Sequence, residues 1–429
     1  MNASVVSRTP SSITVQVEIS LHGSMLSMED AILEATNQVG TVATGEALER
    51  FDTDGNPIRV GDVKMTSKGR VLKEYQTPFG AVSVSRHVYQ TSDGGRIHCP
   101  LDSGARILTT STPRFGKMIS HKYAEFGSSR VCADMEKNHG RPIFRSFVQN
   151  LSKVIGAIAL AREESWTYET PIPKGEKIDT VAIGVDGTCA HMCEDGWRET
   201  MVGSLSLYSG GERIHTTYIG AVPEHGKATF YERMEREIGH LKSSLPEAIY
   251  VGIADGAKGN WEFLKKHTSH QTLDFYHATE YLTKVADSAF PRKPVDRKAW
   301  LDDACHRLKH NVTGPNALLK EMKTFLVKAH VKESQEKIEA SLEYFTNQKH
   351  RMTYANNLEK GIPIGSGVTE AACKTIVKQR LCCSGMKWME RGASIVLALR
   401  CLSYTNSRWD QFWAKITQYG VPEVEWSTS

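Results

Sequence analysis

Five residues of this sequence have the type and placement to do chemistry: Asp186, Asp255, Asp274, His277 and Glu370. Asp186 closes the run Val-Ala-Ile-Gly-Val and Asp255 closes Tyr-Val-Gly-Ile-Ala, and a glycine follows each acid. An ionised carboxylate beside an apolar strand is costly to desolvate unless a cation, hydrogen-bond donors or solvent meets it. In open α/β sheets the carboxyl ends of strands are also where ligands bind. Glycines at 187 and 256 remove side chains where a backbone or a phosphate must come close. Glu370 falls in the first turn of a helix expected to begin after Gly365-Ser366-Gly367. Three hard oxygen donors of this kind suit Mg2+ or Mn2+ and not zinc, so Asp186, Asp255 and Glu370 are the expected metal ligands. Two such ions about 4 Å apart would activate a water or a hydroxyl and stabilise the leaving oxygen of a phosphodiester. Asp274 and His277, in LDFYHATEYL, end a further strand. His277 is placed to meet a phosphate or a metal-bound water, with Asp274 fixing its tautomer.

Each acid also has an ordinary reading. Asp-Gly is a common turn dipeptide, and Asp255 can cap the helix that follows it. Glu370 can gain from the helix dipole, or form an i, i+4 ladder with Lys374 and Lys378. Their joint placement favours chemistry, because the expected strand order puts Asp186 and Asp255 on adjacent strands at one sheet edge. Lys374, Lys378 and the following Arg380 are then the expected contacts to a polyanion beside the metal.

The elements that must position these residues are legible from residue 178 onward. DTVAIGVDGTCAHM reads as a strand, with Val181, Ile183 and Val185 alternating with small residues. Glu194-Asp195-Gly196 turns it, WRETMVGSLSLY runs back, and Ser209-Gly210-Gly211 leads to RIHTTYIGAV. A helix over about 227–242 carries Phe230, Met234, Ile238 and Leu241 on one side. EAIYVGIADG is a nearly all-apolar fourth strand, as expected where both faces are covered. A helix at about 259–267, the strand QTLDFY and a helix from His277 complete a β-β-β-α-β-α-β-α order. That order is the one of the ribonuclease H-like fold, an α/β class. Residues 291–360 read as an all-helical insertion, and residues 361–429 as the second part of the core with its glutamate helix and tail.

Upstream, residues 1–110 read as a small α+β module: a strand in SITVQVEISL, a helix at 25–50, and a hairpin through Thr77-Pro78-Phe79-Gly80. A third strand is expected at 97–101. Residues 111–160 read as three helices, at about 115–126, 128–138 and 142–156. The last is expected to bury Ile143, Phe144, Phe147, Val148, Leu151, Val154 and Ile155, leaving Arg145, Gln149, Asn150 and Lys153 outward. This is the pattern of a helix-turn-helix DNA reader, with Arg145, Gln149 and Lys153 as its contacts. The charge fits: residues 111–160 carry eight Lys and Arg against three Asp and Glu, and residues 293–360 carry thirteen against nine. The domain expectation is therefore 1–110, 111–160, 178–290, 291–360 and 361–429.

Composition excludes several classes. With 40% hydrophobic and 24% charged residues the chain reads as an ordinary folded protein, and no apolar run reaches the ~18 residues of a membrane span. The opening MNASVVSRTPSS has no secretory pattern, so a cytoplasmic protein with no membrane partner is expected. Nine cysteines without a CxxC pair give no zinc or disulfide framework.

The segments VAIGVDG, YVGIADGAKGNW, LDFYHATEYL and IPIGSGVTEAACKTIVKQRL resemble the catalytic blocks of DDE transposases of bacterial insertion sequences, of the ISKra type. Asp274 to His277 is similar to the C/D(2)H signature shared with Mutator-like transposases. FDTDGNPI, YQTPFG and STPRFGKMISHKYAEFGSS resemble the N-terminal region of that family, so the likeness covers most of the chain. It implies a DDE triad of Asp186, Asp255 and Glu370 with Mg2+, for which Mn2+ substitutes. It further implies double-stranded DNA, both element ends and target, as substrate, and a homo-oligomer holding paired ends on the bacterial nucleoid. The 115 positions between Asp255 and Glu370 would be filled by the helical insertion, which in such enzymes helps to hold DNA. A ribonuclease H-like nuclease that cleaves without joining, and a DNA-binding regulator derived from a transposase, are the alternatives.

Overall fold

The chain divides into two compact units: Met1–Glu169 with Ala398–Ser403 and Ser407–Ser429, and Thr170–Leu397 with Tyr404–Asn406. The computed structural model describes residues 3–422. The class is mixed α/β. Among the described residues no helix is long and apolar enough to cross a membrane.

In the first unit β1 (Ser4–Arg8) and β2 (Ile13–Gln16) pair as a hairpin, followed by α1 (Met25–Glu49). An antiparallel sheet of β3 (Ile58–Val60), β4 (Val63–Gln76), β5 (Ala81–Thr91) and β6 (Gly94–His98) comes next. The expected hairpin turn is closed by Thr77, whose N–H and hydroxyl both donate to the carbonyl of Gly80. The expected strand at 97–101 stops at His98, and Pro100 opens α2 (Pro100–Gly104). Proline has no N–H for a ladder but suits a helix's first turn. Leu48, Tyr75, Val82, Val84, Leu101 and Ile107 form the core here.

Three helices follow as expected, α3 (Pro113–Glu125), α4 (Ser128–His139) and α5 (Arg145–Ala161). The third starts later than the spacing suggests. Phe144 is its N-cap residue and is 83% exposed, so it does not join the buried face. The C-terminal helix also departs from expectation, because it belongs to this unit and not to the core of the second. Its aromatic residues Trp409, Phe412 and Trp413 share one helix face. Phe412 meets Trp166 at 5.7 Å, and Trp409 meets His121 of α3 at 5.4 Å. Arg400, fully buried, donates to the carbonyl of Ala124 at 2.7 Å. Residues 423–429 of the expected last domain lie outside the described residues.

The second unit is built on one five-stranded sheet. β7 (Thr180–Met192), β8 (Gly196–Ser209) and β9 (Glu212–Ala221) form the antiparallel meander. After α6 (Ala228–Ser244) comes β10 (Ile249–Ala254), and after α7 (Lys258–His267) comes β11 (His270–Leu273). The strand order is β11-β10-β7-β8-β9, with β10 parallel to both neighbours. One face carries Val181, Ile183, Val185, Leu205 and Leu207, and the expected residues Phe230, Met234, Ile238 and Leu241 of α6 bury against it. The other face carries Ala182, Val251 and Ile253, packed with Tyr208 and Ile362.

Between the two halves of the core the chain is helical, as expected: α8 (Phe275–Ala289), α9 (Pro294–His310), α10 (Gly314–Lys328), α11 (Lys332–Gln348) and α12 (Tyr354–Glu359). It then returns to the sheet. The carbonyl of Ile364 accepts from the N–H of Phe275 at 3.0 Å. α13 (Gly367–Ala372) continues through a π-helical turn, Cys373–Lys378, into α14 (Gln379–Leu381). α15 (Glu390–Tyr404) and α16 (Arg408–Tyr419) end the described chain.

The glutamate helix sits on β7 through one close contact. The Thr369 hydroxyl bonds Ser204 of β8 at 2.7 Å, directly above Gly184. A Cβ on Gly184 would lie 1.9 Å from Thr369 Oγ1 and 2.8 Å from Ser204 Oγ, so glycine is required there. Gly184→Ala is expected to destabilise by roughly 1–3 kcal/mol, the usual range for overpacking. Thr369→Ala in the same chain should restore part of that loss, which urea unfolding of the four proteins of the cycle would measure. Additive losses would mean that helix and strand are not in contact there.

Candidate functional site

The register of the parallel pair builds the site. Gly184 stands opposite Ile253 at the last pair of the register, so Asp186, two residues on in the middle of β7, and Asp255, the residue after β10 ends at Ala254, lie on neighbouring strands. Adjacent strands lie about 4.8 Å apart. Side chains alternate along β7, so Asp186 continues the face of Ala182 and Gly184, which with Val251 and Ile253 is the face on which α13 lies.

Asp186 Oδ1 accepts from the N–H of Gly187 at 2.7 Å, and Oδ2 from the thiol of Cys373 at 3.4 Å. Burial pushes its carboxyl above the ordinary carboxylate range; Asp255 adds to the rise, while Gly187, Cys373 and His277 oppose it. Burial likewise raises the Cys373 thiol, with the Asp186 charge adding to the effect. Asp255 Oδ1 accepts from the N–H of Ala257 at 3.1 Å, and its carbonyl accepts from the Tyr344 hydroxyl at 2.8 Å. Gly256 turns the chain here at φ +116°, and a Cβ would meet the Tyr344 ring at 3.2 Å. Tyr344 is itself held by stacking on Tyr281, 3.8 Å away and nearly parallel.

Glu370 is half-buried, and its Oε1 accepts from Ser366 Oγ at 2.9 Å. Asp274 is fully buried at the start of α8. Its Oδ1 accepts from the N–H of His277 at 2.6 Å, and its Oδ2 from the N–H and the hydroxyl of Ser366. His277 Nδ1 stands 3.8 Å from Asp274 Oδ1, beyond a hydrogen bond, so the expected tautomer-fixing contact is not made. The carboxylate is occupied by the backbone instead.

Among the described residues, Asp274, His277 and Glu370 are the three whose ligand atoms all lie within 4.8 Å of one another. Glu370 is common to this set and to the expected one; Asp186 and Asp255 are outside it. No Lys or Arg among the described residues forms an ion pair with Asp186, Asp255, Asp274 or Glu370. Burial raises the Asp186 carboxyl with no cation paired to it among the described residues. The grouped ligand atoms that could hold an ion are those of Asp274, His277 and Glu370.

Of the expected polyanion contacts, Lys374 and Lys378 are exposed on the glutamate helix. Arg380 is not: it is 2% exposed, with its guanidinium 5.1 Å from the Trp388 ring centroid. A position ten residues after Glu370 is off its face even on an ideal helix, so following the lysines in sequence does not set Arg380 beside them. In the first unit Arg145 and Lys153 are exposed, while Gln149 is half-buried and donates to Ser128 Oγ at 3.3 Å. Ser366, Cys373 and Tyr344 did not stand out in the sequence. Only Ser366 had a local signal, as a serine preceding a helix start.

Because burial raises the folded-state pKa of Asp186, the folded protein binds that proton more tightly than the unfolded chain. Stability is therefore lost as pH rises from the usual value of 3.8 to the folded pKa, and the penalty is complete above it. Asp186→Asn is expected to raise Tm at pH 7.5 without metal, by about 2–4 °C for each kcal/mol relieved, with the gain fading as pH falls. Mn2+ should stabilise the natural protein, by about 2.7 kcal/mol at a hundredfold excess over Kd, and so raise its Tm while leaving the variant unmoved. A lower Tm for the variant at pH 7.5 would make Asp186 a structural acid. Compared with models of protein families and with curated proteins, the chain matches none.

Proposed function

We propose that this chain is a DNA transposase of the DDE type, with a ribonuclease H-like core that cuts and joins the ends of its own insertion sequence. The observation that carries the reading is Asp186 within β7 and Asp255 just past the end of the neighbouring parallel strand β10, with Glu370 on a helix that packs on the face of β7 that carries Asp186. The strand order β11-β10-β7-β8-β9 supports the fold assignment, and the long helical segment before Glu370 supports the insertion. The resemblance of the four catalytic blocks points the same way.

Bound Mg2+ or Mn2+ would neutralise charge developing on the attacking and leaving oxygens of a phosphodiester. The chain's own residues do the rest. Asp186 and Asp255 present their carboxylates from neighbouring strands, and Glu370 approaches from the helix. His277, half-exposed at the margin, is placed to donate to a phosphate oxygen. Lys374 and Lys378 face solvent on that helix and meet the DNA backbone. The three helices α3 to α5, with Arg145 and Lys153 outward, serve as a helix-turn-helix-like reader of the element end. Pairing two ends calls for at least two copies of the chain, acting in the bacterial cytoplasm.

Purified protein incubated with the DNA flanking its gene, a target plasmid and Mg2+ or Mn2+ should yield joined products that Asp255→Asn abolishes by at least about a thousandfold, as loss of a central electrostatic group does. Nicking without joining would favour a nuclease, and binding without either a regulator. Replacing both Lys374 and Lys378 by alanine should lower the slope of log K against log salt by about 0.9 per lost phosphate contact. An unchanged slope would remove these lysines from the DNA path.

A further inference from the structure

Asp274 and Ser366 make an unusual pairing for residues so far apart in sequence. Asp274 has no exposed surface, yet its carboxylate takes three hydrogen bonds, from the N–H of His277 and from both the N–H and the hydroxyl of Ser366. A buried carboxylate satisfied in this way is anchored in place, because losing any donor leaves an acceptor unpaired in a dry environment. Ser366 is equally buried, at 7% exposure, and is the N-cap residue of the helix that carries Glu370. Its hydroxyl lies 2.8 Å from Asp274 Oδ2 and 2.9 Å from Glu370 Oε1. A hydroxyl has one proton, so two ionised carboxylates cannot both accept from it. Asp274, with the N–H of Ser366 already on the same oxygen, has the stronger claim.

We infer that Asp274 and Ser366 are positioning residues: the Asp274 carboxylate clamps Ser366 where the chain returns from its helical detour, and the clamp aims Glu370 at the two aspartates. This rests on the metal-dependent reading of the site and gives Asp274 a part other than touching substrate or ion. The detour is what makes a clamp necessary. Between Asp274 and Ser366 the chain passes through α8 to α12, so nothing local fixes where the helix of Glu370 begins. The contacts that fix it include the Ile364 carbonyl on Phe275, the Asp274 carboxylate on Ser366, Thr369 above Gly184 and the Cys373 thiol on Asp186. The Asp274 contact is the one made at the helix's N-cap. Glu370 Oε1 lies 2.9 Å from the same oxygen but, with that proton on Asp274, is not bonded to it, so the carboxylate stays free to turn toward a cation.

The test compares Ser366→Ala and Ser366→Thr with the natural full-length protein by two readouts. Hydrogen exchange over residues 364–381 without metal reads the clamp itself. Mn2+ titration followed by the ion's paramagnetic resonance reads the aim of Glu370 and needs no DNA substrate. Ser366→Ala should exchange faster over this segment and nowhere else, and should raise the Mn2+ midpoint about 10–100-fold, the usual effect of removing a group that orients a metal ligand. Ser366→Thr, which keeps the hydroxyl, should return both toward the natural protein. Asp274→Asn, which can keep the helix cap but presents an amide to Ser366, should behave like Ser366→Ala. Unchanged exchange in Ser366→Ala overturns the clamp whatever the protein does. Faster exchange with an unchanged Mn2+ midpoint overturns the aiming of Glu370. If the natural protein itself binds no Mn2+ while exchange responds as expected, the metal reading of the site fails, and the aiming role falls with it.

Discussion

Everything at the acidic edge depends on how closely a helix can approach a strand. The Thr369 hydroxyl rests on the backbone of β7 at Gly184, where there is no room for a side chain, and that contact brings the glutamate helix onto the face of β7 that carries Asp186. A larger residue at Gly184 would lift the helix and with it the third acid. The neighbourhood of Asp186 and Asp255 is a weaker demand, since it follows from the parallel pairing of β7 and β10. Two acids come from the sheet by pattern; the third comes by packing.

The charges are arranged to be unhappy without a partner. Asp186 and Asp255 share an edge with no basic side chain paired to them among the described residues, and burial holds Asp186 above the ordinary carboxylate range. Asp274, fully buried, is at ease by comparison because backbone and hydroxyl donors surround it. The contrast sorts carboxylates that serve the fold from those left open to a cation. Stability surrendered at one edge of a sheet is what a functional site commonly requires.

Much of this could be read from the sequence, and the failures have physical causes. The meander from Thr180 to Ala221, its glycine turns, and the buried side of α6 follow from local periodicity and turn chemistry, which need no tertiary information. Phe144 was misplaced because apolar character does not say where a helix starts, and the residue fell just outside. Arg380 follows the two lysines in sequence, but nearness in sequence does not put it on their helix face, and it is buried beside Trp388. The aromatic helix at the C-terminus was assigned to the nearest domain in sequence, whereas its partners, Trp166 and His121, lie far back in the chain. The Asp274–Ser366 contact spans 92 positions and has no local signature at all.

The helical detour has a consequence for the newborn chain. Glu370 is made 115 residues after Asp255, which at about 5–20 residues per second is roughly 6–23 s of synthesis. For that interval the sheet can form with its two aspartates on neighbouring strands, while the face that α13 will cover stays bare. Ala182, Val251 and Ile253 then wait for Ile362 and the glutamate helix, exposed on a strand pair with no lid. The growing chain is thus at its most adhesive before the glutamate helix has been made, so chaperone demand should peak before this face is covered.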